Sequence, residues 1–182
     1  MHSPRLQNVL ISAAVLSCIA MLAVPARGDA AASLFGPPWI SIETPVNPYD
    51  ATTRGAFLVV HEFHHGTPAS APLSGTAEGI VNGERRTIAL QFTPTSQGGA
   101  YALRKQWGDA GIWTLVITVA QHEDDVAQAL VELGADGVVA RVEVPTRPGE
   151  RDMPLPRRIS AREIDSALRL RARAAGMQRG ED

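Results

Sequence analysis

Apolar and polar residues alternate along the middle of the chain with the two-residue period of a strand. In RRTIALQF, Ile88, Leu90 and Phe92 share one face, and Thr87, Ala89 and Gln91 the other. GIWTLVITVA sets Trp113, Leu115, Ile117 and Val119 against Thr114 and Thr118, and GGAYALRK pairs Tyr101 with Leu103. WISIE places Ile40 and Ile42 together. GAFLVVHEF reads as a strand by its β-branched and aromatic content, although its middle is apolar on both faces.

Turn residues separate these runs. Asn82-Gly83, between GTAEGIV and RRTIALQF, suits a tight hairpin because both residues tolerate positive φ. TPVNPYDATTRG and HGTPASAPLS are loops by their Pro, Asn, Asp and Gly content. VAQALVELGADGVVARVEVP fits either a short helix or strands. The β-branched VVARVEV and the turn residues ADG favour two strands about Gly134 to Gly137.

The pattern predicts about seven or eight short strands and no alternation of strands with helices. One small sheet would leave an apolar face in water, so two antiparallel sheets packed face to face are the economical arrangement. The expected class is all-β, an immunoglobulin-like antiparallel sandwich over residues 31–144. Residues 145–159 are rich in Pro and Arg and read as a linker. In the basic tail 160–182, Ser160 and Glu163 have capping-box spacing. Ile164, Ala167, Leu168 and Ala175 make a thin apolar stripe, so the tail is expected to be either a marginal helix or disordered.

The N-terminal residues 1–30 change the picture. VLISAAVLSCIAMLAV is an uncharged, mostly apolar run, followed by small residues suited to cleavage after Ala26 or Ala30. It reads as a secretory signal peptide or an uncleaved signal anchor, and places the domain outside the cytoplasm. VLSC, ending at Cys18, is a loose lipoprotein match, but the apolar run continues past it. Cys18 is the only cysteine, so a cleaved chain has no disulfide and must be held by its core.

Charge divides the chain. Residues 31–144 carry six basic and twelve acidic residues, whereas residues 145–182 carry nine arginines and six acids. An acidic body argues against nucleic acid, and the basic tail is suited to an anionic surface.

Candidate chemistry gathers at HEFHH. His61, Glu62 and His65 have the spacing of a zinc peptidase, which needs both histidines on one helix face. The match follows AFLVV and precedes GTPASAP, so no helix can be drawn through it. Four residues of strand span about 13 Å, too far for two ligands of one zinc ion. A turn near His64 would instead gather His64 and His65 with His122 or with Glu123, Asp124 and Asp125. Neutral imidazoles beside a carboxylate suit copper, zinc or nickel. His61, His64, His65 and His122 are therefore the candidate metal residues. The plainer expectation is a strand histidine at His61, a polar turn at His64 and His65, and no cofactor. Trp113 is expected in the core, and Trp39 either closes one end of the sandwich or is exposed as a contact anchor. No catalytic constellation stands out.

The segment GGAYALRKQWGDAGIWTLVITV resembles the YtkA-like and FixH-like extracytoplasmic sandwiches, distant relatives of CopC-like proteins. Gly99, Tyr101, Gly111, Trp113, Leu115 and Ile117 carry the resemblance. It implies an immunoglobulin-like sandwich at the outer face of the cytoplasmic membrane, in some members beside copper delivery or oxidase assembly. CopC-like copper sites use an N-terminal histidine with further His or Asp, or a Met-rich patch. Here a cleaved chain starts at Arg27 or Ala31, and its only methionines, Met153 and Met177, lie in the tail. The functional expectation is a non-catalytic extracytoplasmic accessory or binding domain with a membrane-associated protein partner. The alternative is a periplasmic copper- or zinc-handling protein.

Overall fold

The computed structural model describes residues 36–149 and 153–178. The expected signal segment, 1–30, lies outside the described residues. Twelve strands and one α-helix follow in order among the described residues. They are β1 (Pro38–Glu43), β2 (Leu58–His64), β3 (Thr67–Pro68), β4 (Leu73–Val81), β5 (Glu84–Ala89), β6 (Phe92–Pro94), β7 (Ala100–Leu103), β8 (Ile112–Ala120), β9 (Val126–Leu133), β10 (Val139–Glu143), β11 (Thr146–Pro148), β12 (Pro154–Pro156) and α1 (Ala161–Gln178).

Ten of these strands form two antiparallel sheets. The first runs β1-β2-β7-β6, with β3 also paired to β2, and the second runs β10-β9-β8-β4-β5. The all-β sandwich is thus the architecture. Its interior holds Ile40, Leu58, Val60 and Leu103 from the first sheet and Trp113, Leu115, Ile117, Val119, Ala127, Ala129 and Val131 from the second. The expected face of β8 is the inner one. At roughly 1.5–3 kcal/mol for each fully buried large aliphatic side chain, this double layer is the main source of stability.

The hairpin at Asn82-Gly83 forms as its residues require: Val81 pairs with Glu84, and the two turn residues have φ of 53° and 82°. Gly134 to Gly137 also turns the chain, with Gly134 N donating to Val138 O at 2.8 Å. Strands flank it on both sides, as expected, and a register irregularity falls between Val139 and Arg141.

RRTIALQF is not one strand, as its alternation suggested. β5 pairs with β4 in the second sheet, and β6 pairs with β7 in the first. The chain crosses between sheets at Leu90 and Gln91. Leu90 is buried in the core there, and the side-chain amide of Gln106 accepts from Gln91 N and donates to Gln91 O. Alternation cannot reveal the change, because a strand that switches sheets keeps turning the same side chains toward the shared core.

The C-terminal region holds more structure than expected. Within the Pro and Arg-rich segment, β11 and β12 form a two-stranded ribbon. The helix begins at its predicted cap: Ser160 Oγ accepts from Glu163 N at 3.3 Å, and Glu163 Oε2 accepts from Ser160 N at 2.8 Å. α1 then lies across the outer face of the second sheet, against β8 and β4. Ile159, Ile164 and Ala167 pack on Val116 and Leu130, and Leu168 is 1% exposed.

The thin apolar stripe suffices because polar contacts hold its margins. Arg85 Nη1 meets Asp165 Oδ1 at 2.6 Å, and Arg171 Nε meets the buried Glu132 at 3.2 Å. Ile159 N donates to Gln128 Oε1 at 2.6 Å. Covering by the helix also explains why β9 is buried on both faces and has a pattern that fits a helix as well as a strand.

Candidate functional site

β2 carries the histidine corner, and it runs extended to His64. No helix passes through it, so the peptidase spacing does not produce peptidase geometry. Alternation sends Leu58, Val60 and Glu62 inward and His61 and Phe63 outward. Glu62 is fully buried, and both its carboxylate oxygens accept from Ala71 N, at 2.6 and 2.7 Å. It pins the loop after β3 to the end of the sandwich.

His61 belongs to a different surface from the other histidines. Its Nε2 lies 2.8 Å from Glu43 Oε2 on the neighbouring strand β1. This contact, with the Asn47 N–H, holds the Glu43 carboxyl below its ordinary range. The His61 ring stacks beside Phe63, with centroids 6.4 Å apart. Trp39, directly opposite Phe63 in the β1-β2 register, is 37% exposed. The outer face of β1 and β2 thus presents Trp39, Phe63 and the His61–Glu43 pair. The exposed alternative for Trp39 is the one the fold adopts, while Trp113 is in the core and donates from its indole N–H to Ala110 O at 2.9 Å.

His64 and His65 come together at one end of the sandwich, with ring centroids 4.5 Å apart. His65 has φ of 50°, so the chain turns where HHG suggested a turn. Gln121, just beyond β8, places its side-chain amide 2.7 Å from His64 Nδ1. Asp125 sits in the following turn: burial pushes its carboxyl up, and nearby His122 and His64 oppose that shift.

The four candidate histidines therefore separate. His64 and His65 meet, His122 is near through Asp125, and His61 is committed to Glu43. Among the described residues, no group of three or more His, Cys, Asp or Glu side chains is arranged to hold a metal ion. Gln121 carries no signal in the sequence, because an amide at the end of a strand has neither periodicity nor motif spacing.

A broad hollow of about 940 Å³ opens at the other end of the second sheet, between the Asn82-Gly83 and Gly134–Asp136 turns and α1. Two of its polar members are already engaged. Asp136 accepts from Val138 N, and Arg171 holds Glu132.

The residues of the G-x-Y and G-x-W segment serve the fold. Gly99 has φ of 72°, and a Cβ there would lie 2.4 Å from Ala69 O. Leu115 and Ile117 are core residues. Comparison with protein-family models, with curated proteins and with solved structures finds no match for this chain.

Proposed function

We propose that this protein is a non-catalytic, extracytoplasmic binding or accessory domain that engages a membrane-associated protein partner through the outer face of β1 and β2. The observation that carries the reading is the exposure of Trp39 at 37%, beside Phe63 and the His61–Glu43 pair. A large aromatic ring partly exposed on a strand is the kind of residue that dominates binding energy at a protein interface. Its position fits the membrane-surface setting, since β1 is the first described strand after the apolar N-terminal run. An accessory role in an electron-transfer or transport assembly accords with the resemblance to YtkA-like and FixH-like sandwiches.

The test is affinity capture of the full-length protein from detergent-solubilised membranes, with the wild type and Trp39→Ala side by side. A partner recovered with the wild type and lost with the variant supports the reading. Recovery of the wild type only as a free monomer overturns it.

The second reading is copper or zinc handling at the His64 and His65 pair. The 4.5 Å contact of the two rings favours it. Titration calorimetry of the protein with Cu²⁺ and with Zn²⁺ decides it. Binding at micromolar affinity or tighter that His64→Ala abolishes would support it, and its absence would remove it.

A further inference from the structure

We propose that the solvent face of α1 is an electrostatic docking surface for an anionic phospholipid membrane, with Arg162, Arg169 and Arg173 meeting the headgroups and Leu170 as its apolar member. The inference rests on the membrane-surface reading above and adds the chemistry of the surface itself.

The helix has two opposed faces. At about 100° per residue, Arg162, Arg169 and Arg173 fall within about 40° of one another around the helix axis. Ile164, Ala167, Leu168 and Arg171, which grip the sandwich, centre on the opposite side. The three arginines are exposed and form a row about 16 Å long. Leu170, on the flank of this row, is 60% exposed.

Among the described residues, the row's charge has no ion-pair partner. Both acids of the helix are engaged elsewhere, Glu163 by Arg157 and Asp165 by Arg85. Arg171 is taken by Glu132. Among the described residues, no carboxylate pairs with Arg162, Arg169 or Arg173.

The placement also works against the isolated helix. Arg169 and Arg173 stand one turn apart and repel, and Arg162 puts a cation in the first turn, where the helix dipole disfavours it. A negatively charged plane removes both penalties. The row lies on the helix face turned away from the sandwich with an exposed leucine beside it, the pairing of basic and apolar residues by which helices rest on anionic lipid. That combination favours a lipid surface over an acidic protein face.

The experiment reads the helix directly, so that attachment through the N-terminal apolar run does not mask the result. Full-length protein carrying Cys18→Ser and Leu170→Cys would be labelled at position 170 with an environment-sensitive fluorophore. It would then be mixed with vesicles of phosphatidylcholine alone or of phosphatidylcholine with phosphatidylglycerol. The expected result is a blue shift on the phosphatidylglycerol vesicles only, reversed by salt. Each arginine changed to glutamine should weaken the surface-bound state about fivefold, and Arg162→Gln, Arg169→Gln and Arg173→Gln together on the order of a hundredfold.

Equal emission on both vesicles, or a triple variant that behaves as the wild type, would overturn the proposal. Arginine-dependent retention on immobilised polyglutamate without any vesicle response would also overturn it, and would assign the face to an acidic protein. The Trp39 capture experiment contains no added lipid and reports on a different face, so either inference can fail while the other stands.

Discussion

Gly79 lies opposite Trp113 in the β4-β8 register, and a Cβ built there would come within 2.4 Å of the indole ring. Glycine is needed so that the ring can lie flat across the neighbouring strand. Gly79→Ala is expected to destabilise the protein by about 1–3 kcal/mol through overpacking, as read by urea denaturation, with strand content retained. Glu163 gives a second residue-level expectation. Its salt bridge to Arg157 and its hydrogen bonds with Ser160 hold its carboxyl at about 2, against an ordinary 4.5. A depressed pKa stabilises the fold above the ordinary value, and that contribution is lost as pH falls from about 4.5 through about 2. The pair is partly exposed, so screening limits the effect to about 1 kcal/mol. Amide exchange in α1 should accelerate over that acid range in the wild type, and Glu163→Gln should flatten the dependence. An equal acid response in both proteins would refute this account.

The elements differ in how plainly the sequence announces them, and the difference follows from their surroundings. β8 was legible because one face looks into the core while the other carries Thr114 and Thr118, which alternate visibly with the apolar set. β9 was ambiguous because Leu130 and Glu132, on its outer face, are buried beneath α1. The tail was least legible: its stripe supplies only a few apolar contacts, and the remainder of its docking comes from partners such as Arg85 and Glu132, distant along the chain. Leu168→Ala should accordingly cost about 2–5 kcal/mol, because the buried leucine leaves a cavity between helix and sheet. Hydrogen exchange is the appropriate readout. Loss of protection in α1, accompanied by weaker protection in β8, would show the helix acting as a cover for the sheet. An unchanged helix would argue against that role.

Across the whole molecule, the sandwich was readable from the strand pattern, whereas the candidate site was readable only as a list of histidines. His61 and His64 are three residues apart, yet one meets Glu43 on the outer face and the other meets Gln121 at the end of the sandwich. Strand parity separates the two, and only the fold supplies Gln121 and singles out Asp125 from the acidic run Glu123, Asp124 and Asp125. The same fold leaves strands at the margins of both sheets. β1 and β6, on the margins of the first, contain Pro38 and Pro94, which have no N–H to donate. β5, on the margin of the second, exposes Glu84, Arg85 and Arg86. An incoming chain aligned with β5 would have to desolvate those charges. Replacing Glu84 and Arg86 together by valine should therefore lower the concentration at which the protein self-associates, measured by light scattering, with little change in the thermal midpoint. Through these prolines and charges, β1, β5 and β6 each resist adding a strand from a second copy, so three of the four sheet margins discourage fibril growth.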